Sequence, residues 1–347
     1  MADNNLRKAQ ANMKKYLSIL ISIILCCGLF TGCSNTDSKT NSKKINIVCT
    51  IFPQYDWVMN IIGDDTDKYN VSLLVENGTD LHSFQPGARD IVDIATCDLF
   101  IYVGGESDSW VQDVLKNSEN KNRISINMTE TLGDLAKEEE IIEGMEAHEH
   151  DLNEAHHEHD SGEENHEEVA YDEHVWLSLK NAKIICNEIS SVLCRLDSDN
   201  ADSIESNCTD YISELSSLDT KYSEVANSSD RQVLLFGDRF PFRYMVDDYG
   251  LDYYAAFEGC SAETEASFKT IVFLAEKIDE LALPYVCVTE SSDKSVANTI
   301  IENTKSKNQN ILTFNSIQSV SKDKIENGIS YLEIMKSNLS VLKNALN

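Results

Sequence analysis

The chain reads as an α/β protein of two lobes, each built on a parallel sheet, joined by one long linker helix and separated by a cleft. Three observations predict this. Short apolar runs alternate with amphipathic stretches over 45–127 and again over 232–314, the pattern of parallel strands covered by helices on both faces. Between the two blocks, Ile204, Cys208, Tyr211, Leu215, Leu218, Tyr222 and Val225 repeat at a 4,3 spacing, one apolar stripe along a helix of about six turns. At 347 residues and 41 % hydrophobic, the chain has material for two cores.

The elements follow in order. The run 45–51 is a strand and 54–62 a helix stopped by Gly63; 71–75 is a second strand. Pro86 opens a helix over 86–96, since proline suits the first helical turn. Then come a strand at 98–103, a helix at 109–116 and a strand at 123–127. Residues 138–168 hold 14 Asp and Glu, no Lys or Arg, and six of the eight histidines. Such a tract buries no core and reads as a mobile acidic loop. Helices at 181–196 and 202–225 follow, and alternation restarts: strands at 232–236, 251–257, 285–289 and 310–314, helices at 239–249, 263–281 and 292–306. An amphipathic helix with Ile325, Ile329, Leu332, Met335, Leu339 and Leu342 closes the chain. The lobes are therefore 45–200 and 231–347, with the linker helix in 201–230.

The N-terminus reads as an export signal. Met13-Lys14-Lys15 precedes an apolar run over 16–30, a basic segment and a hydrophobic segment too short for a comfortable membrane span. Met13 reads as the natural start, because residues 1–12 are mostly polar and add nothing to export. Residues 34–44 contain no apolar side chain before the first strand and form a flexible tether.

The formal charge of -30, from 59 acidic and 29 basic residues, repels nucleic acid and attracts cations. Beyond Cys33 seven cysteines are scattered with no Cys-x-x-Cys pair. They read as small buried hydrophobes, with one disulfide left open. Two histidines stand apart from the acidic tract. His82, in Gly78-Thr79-Asp80-Leu81-His82-Ser83-Phe84-Gln85-Pro86, lies on a loop after a strand, the rim where open α/β sheets place ligands. His174, in Tyr171-Asp172-Glu173-His174-Val175-Trp176-Leu177, has a similar setting. Together they point to a transition-metal site in the cleft between the lobes.

These pieces resemble the metal-binding lipoproteins of bacterial zinc and manganese ABC importers. The likeness rests on Thr50-Ile51-Phe52-Pro53-Gln54-Tyr55-Asp56 with Gly63, on both histidine motifs and on Asn181-Ala182. Tyr249-Gly250-Leu251, Ala262-Glu263-Thr264-Glu265 and Thr289-Glu290-Ser291-Ser292 extend it into the second lobe. The resemblance implies two Rossmann-like lobes and a lipid anchor on Cys33, at the end of Leu29-Phe30-Thr31-Gly32-Cys33. It further implies a monomer on the extracellular face of the cell membrane, handing a captured ion to an ABC permease with its ATPase.

The family takes two ligands from each lobe. His82 and His174 carry over directly. The second lobe departs, with Gly237-Asp238-Arg239-Phe240-Pro241 where a His or Glu is expected. Asp238 is the nearest oxygen donor there, with a helix N-cap as its other reading. Asn315 stands where the family's last acid falls. Glu290 and Glu263 are expected behind the ligands, orienting them. The histidines His148, His150, His156, His157, His159 and His166 form an auxiliary loop for collecting or sensing metal, or else sit in a solvated acidic spacer. Two imidazoles favour Zn2+ over Mn2+, with affinity lost below about pH 6.5 as imidazoles protonate. A metal-buffering or adhesin-like surface lipoprotein and a secreted zinc hydrolase are the rival readings. The hydrolase lacks His-Glu-x-x-His, Gly-x-Ser-x-Gly and a nucleophile triad in this sequence.

Overall fold

A computed structural model describes residues 44–76, 79–118, 120–146, 171–261 and 265–347. The first lobe runs β1 (Ile45–Cys49), α1 (Phe52–Ile62), β2 (Tyr69–Leu73), α2 (Ala88–Thr96), β3 (Leu99–Tyr102), α3 (Val111–Lys116), β4 (Ile124–Asn127) and α4 (Met128–Leu132). Two long helices follow, α5 (Leu179–Leu196) and the linker α6 (Ala201–Ser228). The second lobe runs β5 (Val233–Phe240), α7 (Arg243–Tyr249), β6 (Asp252–Glu258), α8 (Phe268–Leu281), β7 (Tyr285–Thr289), α9 (Ser295–Asn303), β8 (Asn310–Phe314), α10 (Lys322–Glu326) and α11 (Tyr331–Leu346).

Each lobe has a four-stranded, wholly parallel sheet. The orders are β2-β1-β3-β4 and β6-β5-β7-β8, the same arrangement twice. Strand order reverses beside the first strand of each lobe, so each sheet has a ligand crevice at its carboxyl edge.

Alternation along the strands sorts the core. Val48, Phe100 and Tyr102 point to the outer face of the first sheet, against Ile94 and Val111. Leu235, Val286 and Val288 do the same in the second, against α8 and α9 residues. Their neighbours Ile47, Cys49, Leu99, Ile101, Leu234, Phe236 and Cys287 point inward and join one continuous core with the linker stripe. That stripe is Ile204, Cys208, Tyr211, Leu215, Leu218, Tyr222 and Ala226, all buried. It follows the expected spacing until its last member, where Ala226 replaces Val225.

Beyond shifts of a few residues at element ends, with Pro86 falling just outside α2, three elements differ from the sequence reading. Strand β5 continues through Phe240 with a register shift between Phe236 and Arg239, so Asp238 is a strand residue and caps no helix. The closing helix is two helices: Gly328 takes a positive φ of 83°, and Ser330 caps a new start with Glu333. Residues 138–146, expected in the mobile acidic loop, form a strap laid on the second lobe. Lys137 N donates to Tyr244 Oη (2.9 Å), Glu146 N donates to Ala256 O (3.0 Å), and Arg243 pairs with Glu140.

Candidate metal centre

His82 sits in a short 3-10 turn, Leu81–Ser83, whose amide His82 N is held by Asp80 Oδ1 at 3.0 Å. His174 immediately precedes another such turn, Val175–Leu177. The two Nε2 atoms are 3.3 Å apart. Two Zn–N bonds of about 2.0–2.1 Å meeting at the tetrahedral angle put their nitrogens about 3.3–3.4 Å apart. The pair therefore already has the spacing that one shared ion needs.

The far nitrogens fix which edge of each ring faces the cleft. His174 Nδ1 lies 3.0 Å from Asp172 Oδ1, which also accepts His174 N at 2.8 Å. His82 Nδ1 lies 2.7 Å from Ser107 Oγ and 3.5 Å from Glu173 Oε2. A carboxylate beside Nδ1 keeps the proton there and leaves the Nε2 lone pair for a metal. The consecutive residues Asp172-Glu173-His174 thus serve both rings: the first acid orients His174, the second His82.

Glu173 is buried, which works against its ionisation, but the His82 imidazole beside it and the hydrogen bond from Ser107 N outweigh this and hold its carboxyl below the usual range. Asp108, accepting from Val103 N at 2.8 Å and Gly104 N at 3.0 Å, braces the loop that presents Ser107. Its burial pushes the carboxyl up to about 7.

The second lobe closes over this pair with four rim positions. Cys260 follows β6. Its Sγ and one ring nitrogen of each of the two histidines all lie within 4.8 Å of one another. Gln318, beyond β8, brings Nε2 to 3.1 Å from His82 Nε2 and 2.6 Å from His174 Nε2. Glu290, just past β7, accepts from Ser316 N (2.7 Å) and Ser316 Oγ (2.8 Å), and so fixes the loop that carries Gln318. Asp238, near the end of β5, lies in a cavity of about 390 Å³ that His82, Arg239, Cys260 and Ser291 also line.

The other site residues expected from sequence are placed as follows. Asp238 Oδ2 accepts from Thr289 N at 2.9 Å and Thr289 Oγ1 at 2.5 Å, which ties β5 to β7. Asn315 Oδ1 accepts from Ile317 N at 2.8 Å, and its backbone pairs with Asn338 of α11. The structure brings neither onto the two imidazoles; both brace the rim instead. Glu290 supports Ser316 and touches no histidine. Glu263, Cys33 and the loop histidines His148, His150, His156, His157, His159 and His166 lie outside the described residues.

Sequence reasoning missed Cys260 and Gln318. Cys260 carried one available signal: it stands three residues after a predicted strand, as a rim residue should. Gln318 carried none, since its distance from β8 depends on how the loop folds.

Contacts across the cleft set the lobes in register. Trp176 Nε1 donates to Ser316 O (2.8 Å), and Tyr331 Oη donates to Trp176 O (2.6 Å). Arg239 Nη1 meets Asp80 Oδ2 at 2.9 Å. Burial opposes ionisation of Asp80, yet Arg239 overrides it and holds the carboxyl below its usual range. Burial pushes the Cys260 thiol far up, and Glu139, Glu173 and Asp172 push it further.

Residues 47–345 match the model of the family described as zinc-uptake complex component A, periplasmic. The chain belongs to this family. It is 30 % identical over 337 residues to the zinc-binding lipoprotein AdcA of Streptococcus pneumoniae strain R6, covering 95 % of this chain and 61 % of that protein. The match to the high-affinity zinc uptake system protein ZnuA of Bacillus subtilis is 28 % identical, over 96 % of this chain and 99 % of the relative. The chain thus spans under two thirds of its streptococcal relative. Its fold superposes on the Zn(II)-bound ZnuA-like domain of Streptococcus pneumoniae AdcA with a TM-score of 0.65, 26 % identity and coverage of 87 % and 99 %. It superposes equally on the metal-dependent lipoprotein YcdH of Bacillus subtilis, with a TM-score of 0.67 at 25 % identity. Among the described residues no helix is long and apolar enough to cross a membrane.

Proposed function

We propose that this protein captures Zn2+ outside the cytoplasm, with His82 and His174 as its first ligands, and delivers it to an ABC permease driven by its ATPase. The observation that carries this reading is the 3.3 Å separation of two Nε2 atoms drawn from distant parts of the chain. Each ring is backed by a carboxylate, and both face the closed interlobe cleft. The action is capture without chemistry on the cargo. Zn2+ sheds water, binds the two imidazoles, and is enclosed by the rim of the second lobe. Mn2+ is the lesser cargo, since it prefers oxygen donors. Lipidation at Cys33 would tether the molecule, as a monomer, to the outer face of the cell membrane. The zinc relatives and the zinc-bound neighbour support the choice of ion.

The test is zinc binding by competition with a chromogenic chelator. His82→Ala and His174→Ala should each abolish tight one-to-one binding. Deleting 147–170, with the loop histidines, should leave it intact. Tight binding that survives both His substitutions and vanishes with the deletion would move the site to the acidic tract.

A further inference from the structure

We propose that Cys260, as a thiolate, and Gln318, through its amide oxygen, complete the cation site, giving it two nitrogens, one sulfur and one oxygen. This rests on the capture reading above and specifies its ligand set. With Asp172 and Glu173 beside the Nδ1 edges, the two Nε2 lone pairs face one another. Two lone pairs at that distance need a donor or a cation between them. The Gln318 amide is placed as such a donor, within 3.1 Å of both. A half-turn of the amide aims its oxygen at the two rings in place of its nitrogen, and a withdrawal of under about 1 Å from His174 gives that oxygen the roughly 3.4 Å from each nitrogen that a shared tetrahedral ion needs. Glu290 and Trp176 hold Ser316, two residues away, and so keep Gln318 within reach.

Cys260 supplies the remaining corner. A tetrahedral zinc with bonds of about 2.3 Å to sulfur and 2.0–2.1 Å to nitrogen puts S and N about 3.6 Å apart. The present separations, all within 4.8 Å, thus call for an approach of at most about 1 Å by the Cys260 turn. Gly259 makes that turn possible: a Cβ there would lie 2.8 Å from His174 Cε1, so only glycine lets the chain pass the ring. As the Sγ–Zn bond forms, the Sγ–H bond gives its proton to solvent, and the ion's charge offsets the acids around the thiol. A thiolate corner favours Zn2+ over Mn2+, whose preferred donors are oxygens.

The test uses the full chain loaded with one equivalent of Co2+ and, separately, of Zn2+. Wild type should show a near-ultraviolet sulfur-to-cobalt charge-transfer band, and X-ray absorption of the zinc form should show one sulfur at about 2.3 Å. Cys260→Ser and Cys260→Asp should lose the band. They should bind Zn2+ at least about 100-fold more weakly, at or beyond the upper end of the 10–100-fold of losing a ligand's supporting partner, and Cys260→Asp should narrow the preference for Zn2+ over Mn2+. One-to-one binding that needs both histidines but shows no sulfur at the metal would overturn the thiolate and leave capture at the imidazoles standing. Wild-type binding by His82→Ala and His174→Ala would remove the capture reading and this inference together. The absorption measurement uses wild type alone, so it decides even where a Cys260 variant fails to fold.

Discussion

Gly259 shows how closely the two lobes meet at one side chain. The imidazole of His174 is fully buried and rests against the turn after β6. A methyl group at Gly259 would sit 2.8 Å from Cε1 and 3.0 Å from Nδ1 of that ring, and 3.1 Å from Phe240 O. Gly259→Ala should therefore tilt the ring off Asp172 and weaken zinc binding by roughly 10–100-fold, the usual cost of losing a ligand's orienting partner. Crowding should lower stability by about 1–3 kcal/mol. Competition titration and urea unfolding check the two effects, and unchanged zinc affinity would mean that the turn yields without moving His174. At this scale the sequence singled out His82 and His174 because they are the two histidines outside the acidic tract, and the structure sets their Nε2 atoms 3.3 Å apart. It concealed Cys260 among seven scattered cysteines, six of which the structure buries or half-buries elsewhere. Asp238 and Asn315 looked suitable because each stands near a strand end. Asp238 Oδ2 is taken by Thr289 and Asn315 Oδ1 by Ile317, a local pairing that residue type and spacing do not encode.

Element by element, the sheets were legible because apolar strands alternating with amphipathic helices admit few other folds. What escaped was where elements stop. Strand β5 runs on through Gly237, Asp238 and Arg239, polar or small residues that look like a turn, because β6 still pairs with Arg239 and Phe240. The acidic strap was hidden for a related reason. Residues 138–146 are rich in Glu, yet Glu140 finds Arg243, Glu146 finds the amide of Ser267, and Met145 packs on the main core. The strap thereby links the first lobe to α7 and β6 of the second. Arg243→Ala should free its middle while the backbone bonds at Lys137 and Glu146 hold its ends. Amide hydrogen exchange over 138–146 should quicken by about tenfold or more, with exchange in the two sheets unchanged. Equal protection in both proteins would show that the Glu140 pair contributes nothing to docking.

For the whole molecule, the decisive feature is that one core runs through the inner faces of both sheets and the linker stripe. Such a core permits a small tilt between lobes, not a wide swing, which suits a cleft that needs only a short approach at its rim. At its centre lies an acid with no part in metal binding. Asp56 of α1 accepts from Tyr211 Oη of the linker (3.3 Å) and from Tyr331 N at the start of α11 (3.2 Å). It thus joins the first lobe, the linker and the C-terminal helix. Burial is the main cause that pushes its carboxyl up to about 6 from an ordinary 3.8, against the hydrogen bonds that favour the anion. The folded chain then binds this proton more tightly than the unfolded chain. Stability must fall as pH rises between about 4 and 6, and the cost of the buried anion is fully present above that window. Asp56→Asn keeps an acceptor for Tyr211 and Tyr331 but carries no charge to bury. Its unfolding free energy, relative to wild type, should rise by on the order of 3 kcal/mol from pH 4 to pH 7. Asp108 has the same sign but is common to both proteins, so the difference isolates Asp56. Urea unfolding of the zinc-free full chain at several pH values measures it. Parallel profiles would show that Asp56 titrates alike in the folded and unfolded chains, and that water or a cation reaches it at the junction of the three helices.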